Sequence, residues 1–294
     1  MLMSSARREV GCRQIVADDV PRAVSLLERG FPERNRAHWL RGLKRMAEHA
    51  TPPGFPRYGY LLESDGTAVG IVLVIFSSVA ANGFTSVRGN VASWYVDPAF
   101  RSYAAMLTSR VLAHKNVTFI NVTPAPHTWP ILEAQGYARY CTGQFLALAA
   151  LGGRPWSARV RAVSPEIEAG DDLPSAEVDL LKAHVRYGCL SVTCSLANRR
   201  HPYVFMRCWH RWKIGWLPYA LLVYCRSLED FVRFAGPLGR FLAWRGMPMV
   251  FIDSNGPIPG LIGKPIDMGP KFFRGPNPPH LGDVAYTEQV IFGL

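Results

Sequence analysis

Residues 91–121 read VASWYVDPAFRSYAAMLTSRVLAHKNVTFIN, and this stretch decides the fold. Val91–Val96 has the β-branched and aromatic content of a strand. Asp97-Pro98 stops it, because proline brings no N–H to a ladder and disfavours a helical residue before it. Ser102 is placed to cap a helix starting near Tyr103, with Ala104, Leu107 and Val111 on one face at helical spacing. Val117–Ile120 then reads as a second strand. Strand, tight turn, helix and strand make a β-α-β unit, the usual crossover between parallel strands. Its turn points unpaired first-turn N–H groups and the positive helix end beyond the sheet edge, a setting for an anion such as phosphate. The same unit also serves as a plain structural crossover with nothing bound.

Around this stretch, 294 residues point to two domains, and 49% hydrophobic against 19% charged residues supplies ample core. The net charge of +11 is mostly arginine, scattered rather than blocked, which suits a polyphosphate ligand or an acidic partner better than a disordered nucleic-acid tail. No recognised nucleic-acid motif or interleaved basic-aromatic patch stands out. The six cysteines form neither a CxxC pair nor a zinc spacing with histidine, so no metal site is expected and the thiols read as free in a reducing compartment. MLMSSARREVGCRQIVADD lacks the apolar core of a signal peptide, and the apolar run Ala68–Ala81 is too short to span a bilayer. These features place the protein in the cytoplasm, with no membrane segment.

In chain order, Val10–Ala17 reads as a first strand, followed by helices near Pro21–Glu28 and Arg36–His49. The second helix carries a Trp39, Leu40, Leu43, Met46 stripe of the kind that packs on a core. After the break TPPGFP, Tyr58–Leu62 and Ala68–Phe76 form a hairpin about Asp65-Gly66. The central unit comes next, then a short helix in His127–Tyr137 and closing strands Tyr137–Tyr140 and Gln144–Leu148.

This order, with WYVDPAFRSYAAML and ILEAQGY, resembles the GCN5-related N-acetyltransferase superfamily over roughly residues 10–150. There a strand ends in V-x-P, and an R/Q-x-x-G-x-G/A turn wraps the acetyl-CoA pyrophosphate with backbone amides. Val96, Pro98 and Arg101 match, while Ala104 and Met106 stand where the pattern has glycines. Ala125 and Leu132 replace an Asn and the Tyr that commonly protonates the leaving thiolate. The resemblance implies an α/β (α+β) fold with a mixed, mostly antiparallel sheet flanked by helices, and acetyl-CoA or another acyl-CoA as cofactor. It implies a cofactor site at Trp94, Val96, Arg101, Ser102, Tyr103, Ala104, Ala105 and Met106. Backbone amides near Trp94 and Val96 would polarise the acyl carbonyl.

For proton transfer, His127 in TPAPHTWP follows the second strand and has the side chain suited to neutral pH, with Asn121 and Ser93 as lesser candidates. His127 is equally compatible with a helix cap or a solvent-facing side chain.

Residues 152–176 read as a linker. Beyond it, a helix at Glu177–Val185 and strands at Cys189–Cys194 and Tyr203–Trp209 lead to Tyr219–Cys225, Phe231–Arg245 and Met249–Ile252. These repeat the strand–helix–strand of the first half at offsets near 130. The copy places Glu229 and Asp230 at its helix start, which repels phosphate, and Gly236-Pro237 inside the helix, where a kink is expected. The loop-rich stretch 254–282 has the composition of lid or binding segments, and Tyr286–Phe292 reads as a final strand. The expected layout is an acyl-CoA-binding domain at 1–151, a linker at 152–176 and a degenerate second domain at 177–294. Two functions stay open. One is an acyltransferase acting on an amine or hydroxyl acceptor. The other is a non-catalytic binding or regulatory protein of the same fold.

Overall fold

The computed structural model describes residues 9–81, 84–153, 155–212 and 215–293. The chain divides into two compact units. One is built on the residues up to Asn121 with the short returns Gly275–Asn277 and Ile291–Gly293, the other on Val122–Arg274 and Pro278–Val290. The expected boundary was 151, and the difference has a cause in strand pairing given below.

The first unit runs β1 (Val10–Gln14), α1 (Val20–Gly30), α2 (Arg36–Glu48), β2 (Gly59–Ser64), β3 (Thr67–Ala81), β4 (Phe84–Val96), a 3-10 turn (Pro98–Tyr103), α3 (Ala104–Leu112) and β5 (Val117–Asn121). Strands β1 to β4 pair antiparallel in sequence order, and β4 pairs with β5 in parallel. Alternation of small and branched apolar residues in β3 leaves Ile71, Val72, Leu73 and Val74 with no exposed surface, so both faces of that strand are covered. Helix α1 buries Ala23, Val24, Leu26 and Leu27, the apolar stripe its spacing dictates.

The second unit holds α4 (Trp129–Ala134), β6 (Ala138–Cys141), β7 (Gly143–Ala147), β8 (Arg159–Ala162), α5 (Ser175–Arg186), β9 (Leu190–Leu196), β10 (Arg199–Trp212), β11 (Gly215–Cys225), α6 (Leu228–Ala243), β12 (Val250–Ser254), β13 (Gly263–Ile266) and β14 (Lys271–Arg274). The four-residue helix α7 (Glu288–Ile291) follows. Its seven-stranded mixed sheet has the order β13-β7-β12-β11-β10-β9-β8. Strands β8 to β11 pair antiparallel in sequence order and β11 pairs with β12 in parallel, with α6 as the crossover. The pairing scheme of β2-β3-β4-β5 thus recurs in β9-β10-β11-β12, which is the internal duplication the offsets suggested.

Four local expectations are corrected. Gln144–Leu148 does not close the first sheet: β7 lies antiparallel between β12 and β13, while β6 pairs with β14. The reason is apolar burial, because Phe145 and Ala147 sit in the second core with Tyr203, Phe205, Phe231 and Phe234. The 152–176 linker contains β8, whose short, exposed pattern carried little period-2 signal. The loop-rich stretch 254–282 contains β13 and β14. The final segment is helical at Glu288–Ile291, with the Val290 N–H donating to the Thr287 carbonyl, instead of a strand. Gly236-Pro237 lies within the continuous α6, and Gly236 and Gly239 are buried where the 149–153 backbone packs so closely that any Cβ would collide with it.

Candidate functional site

Strand β4 changes character at Ser93. Ile71 of β3 pairs with Tyr95 and Leu73 with Ala92, so β4 carries one residue more than β3 across this interval. Ser93 takes φ +48°, the left-handed backbone of a bulge, which bends the strand and raises its twist. On the other edge, the parallel ladder runs from Val87–Val117 to Asn90–Ile120 and stops there. The Asn90 side-chain amide donates to the Ile120 carbonyl at 3.3 Å, closing the last rung. Past it, Val91–Val96 has no ladder partner on the β5 side among the described residues, and the two strands part. The indole N–H of Trp94 is buried with no acceptor among the described residues. A buried donor of this kind ordinarily finds a partner, so the parting is a cleft with hydrogen-bonding capacity left over.

The turn that follows is held by Asp97. Its carboxylate accepts from Arg29 at 2.9 Å and from the Tyr95 hydroxyl at 2.9 Å. Burial and then this bond push the Tyr95 phenol up, so it stays a neutral donor. With Asp97 engaged, the exposed Arg101, which has no partner among the described residues, is the charge the turn offers. Ser102, Tyr103 and Ala105 are exposed, and Ala104 and Met106 are half-buried. Ser102 does not cap a helix, which corrects the expectation. Pro98–Tyr103 winds as a 3-10 helix, α3 starts at Ala104, and neither end has a side-chain cap. The Phe100 N–H donates to Asp97 and the Ala104 N–H to Arg101, so part of the expected amide cradle is already engaged.

Asn121, half-buried, ends β5 in the same unit, with no side-chain partner among the described residues. His127 lies in the other unit, exposed, in the 3-10 turn Pro126–Thr128, with no hydrogen bond to a described residue. It does not cap α4, whose N-terminal residue Thr128 instead donates its hydroxyl to the Ala125 carbonyl at 2.7 Å. Leu132 is buried, as its apolar side chain requires.

The matching place in the second unit is filled. Val204 pairs with Tyr224 and Phe205 with Leu222, so Val223 is an extra residue of β11, corresponding to the bulge in β4. The parallel pairing with β12 covers only Ala220 and Leu221. Beyond it, the Cys225 N–H donates to the Gly282 carbonyl at 2.9 Å and the Val284 N–H to the Val223 carbonyl at 2.9 Å, with a Tyr224–Asp283 bridge between them. The chain's own Gly282–Val284 therefore occupies the edge that β4 leaves open. Gly282 has φ +87°, and a Cβ there would meet the Cys225 sulfur at 2.6 Å, so this approach requires glycine. Sequence reasoning missed the Ser93 bulge, the Asn90 rung and this plug. Of the three, only Gly282 left a trace, as one glycine among many in a loop-rich stretch.

The cleft and turn fit a cofactor with an extended amide arm and a phosphate end in part. The arm would find unpaired strand groups and the Trp94 N–H, and the phosphates would find Arg101 with fewer free amides than a glycine-rich turn gives.

Neither a protein-family model nor a curated protein sequence matches the chain. Solved structures do match. A Pyrococcus horikoshii protein assigned as an acetyltransferase aligns at 14% identity over 98% of this chain and 96% of its own, with a TM-score of 0.55. A GCN5-related N-acetyltransferase from Anabaena variabilis aligns at 10% identity over 90% and 72%, with a TM-score of 0.59. One from Kribbella flavida aligns at 13% identity over 92% and 72%, with a TM-score of 0.55. With its bulged strand, parted parallel pair and repeated topology, the chain has the fold of the GCN5-related N-acetyltransferases.

Proposed function

We propose that the first unit binds acetyl-CoA or another acyl-CoA and that the protein transfers the acyl group to an amine or hydroxyl acceptor. The observation that carries this reading is the contrast between the two parted strand pairs: the one beside Trp94 is open, the one beside Tyr224 is filled by Gly282–Val284. An open, bulged strand edge costs unsatisfied backbone groups, and a bound amide-bearing chain removes that cost. When bound, acyl-CoA supplies a thioester carbonyl open to attack and a thiolate leaving group. Backbone groups at Trp94–Val96 polarise a carbonyl held in the cleft. Arg101, with the exposed Ser102, Tyr103 and Ala105 and the half-buried Ala104 and Met106, holds phosphate. For proton handling the proposed candidates are Asn121 of the first unit, by ordering the acceptor or a water, and, taken by itself, His127, by its imidazole.

A second reading, a non-catalytic binder, is favoured by the 3-10 winding of Pro98–Tyr103, by Met106 and by Leu132 in the tyrosine position. Calorimetry with acetyl-CoA and desulfo-CoA, followed by thiol release against a panel of amine and alcohol acceptors, separates the two. Acyl transfer predicts binding together with acceptor-dependent thiol release. Binding with no release across the panel favours the binder, and no binding at millimolar ligand rejects both.

A further inference from the structure

Residues 207–216 read RCWHRWKIGW, a basic and aromatic alternation that corrects the expectation of no interleaved basic-aromatic patch. Between Arg199 and Cys225 there are five Lys/Arg and no Asp/Glu. The register places Trp209 opposite Pro218 and Arg211 opposite Trp216, so Trp209 and Trp216 are diagonal neighbours on one face of the β10–β11 ribbon. Arg207 shares that face by the two-residue period. The two indoles are 56% and 64% exposed. Among the described residues the ribbon has no third strand here: pairing with β9 ends at Phe205 and pairing with β12 begins at Ala220. The Arg207 guanidinium donates to the Arg245 carbonyl just past α6, beside Trp244, which is 90% exposed. Arg245 in turn lies over the Phe241 ring at 3.6 Å.

Three exposed indoles with Arg207 and Arg245 thus form one surface, on a ribbon with no third strand among the described residues and on an adjoining helix end. We propose that this surface docks the protein peripherally onto an anionic lipid bilayer. Indole rings favour the headgroup region, where an apolar body and a polar N–H are both satisfied, and basic side chains add attraction to anionic headgroups. No described helix is long and apolar enough to cross a membrane, so the contact is with the surface only. A single-stranded nucleic acid is served less well, because stacking sites lie in grooves with basic walls, and this ribbon has free edges on both sides.

The test is flotation of the full-length protein with phosphatidylcholine vesicles prepared with and without phosphatidylglycerol. Binding is expected to the anionic vesicles alone, to weaken as salt is raised, and to shift tryptophan emission to the blue. The double variant Trp209→Ser/Trp216→Ser should partition about tenfold more weakly. Trp244→Ser should weaken it to a smaller extent, and both variants should melt at the parent temperature because these rings are mostly exposed. No flotation with anionic vesicles, or undiminished flotation of folded variants, overturns the proposal. So does binding of an oligothymidylate that the same variants lose when no vesicle binds, which reassigns the face to nucleic acid.

Discussion

Asp19 shows how single side chains hold the first unit. Its carboxylate is 1% exposed and receives Arg13 at 2.5 Å, Arg22 at 2.7 Å and the Val16 N–H at 3.0 Å. The Arg13 bond holds this carboxyl far below the usual carboxylate range. A depressed folded value stabilises above the unfolded pKa of about 4, and that stability is lost as the pH falls toward the folded value. Asp19→Asn should therefore destabilise the protein by about 2 kcal/mol at neutral pH, with the difference shrinking in acid. Denaturant melts at pH 7 and pH 3 check this, and an equal loss at both would mean the ion pairs contribute nothing. For the proposed proton transfer, His127→Gln keeps size and hydrogen bonding but removes the imidazole base. If His127 handles the proton, turnover should fall by about 10²–10⁴ with CoA affinity little changed. Wild-type turnover across pH 6–9 would leave proton transfer to a water ordered by Asn121. The histidine could be read from its place after β5, and of the two bland alternatives, a helix cap or a solvent-facing side chain, its exposure matches the second.

At the scale of elements, the turn Pro98–Tyr103 decides whether phosphate is held. Its 3-10 winding and the half-buried Met106 reduce the amides on offer. Met106→Gly gives the backbone room for close approach, and CoA affinity by calorimetry should rise or stay level, while α3 loses about 1 kcal/mol of helix propensity. Marked weakening would make the methionine a contact. Strand β5, helix α3 and the end of β4 were legible because apolar periodicity and Asp97-Pro98 agreed there. Strand β4, however, begins at Phe84 and not at Val91, its polar first half Phe84–Asn90 lacking a strand's apolar pattern. The Ser93 bulge was not legible, since a serine in the left-handed region is set by the pairing of β3 on one side and the release of β5 on the other. Strand β8 was hidden for another reason: RVRA is mostly exposed, so its pairing with β9 leaves no hydrophobic signature.

For the whole molecule, the instructive element is β7. Local order suggested that Gln144–Leu148 would close the sheet it follows, and pairing of neighbours is the usual outcome. Instead Phe145 and Ala147 enter the second core, β7 is the sole strand partner of β13, and Gln144 donates to Asp253 at 3.2 Å. Asp253 also pairs with Lys271 at 2.7 Å, both ends being nearly fully buried. A boundary drawn from sequence near 151 or 176 would therefore cut through one folding unit. A fragment of residues 177–294 lacks β7 and β8, leaves β12 with an open edge and strips apolar cover from Tyr203 and Phe231. It should be insoluble or melt without cooperativity, because an unpaired central strand templates aggregation. A fragment of residues 122–294 restores both strands and should melt cooperatively, with Lys271→Met lowering its stability by about 3–5 kcal/mol through the stranded Asp253 charge. Soluble yield, circular dichroism and thermal melts compare the two. A cooperative melt from 177–294, matching that of the longer fragment, would show that β7 contributes little and that the sequence-drawn boundary is the physical one.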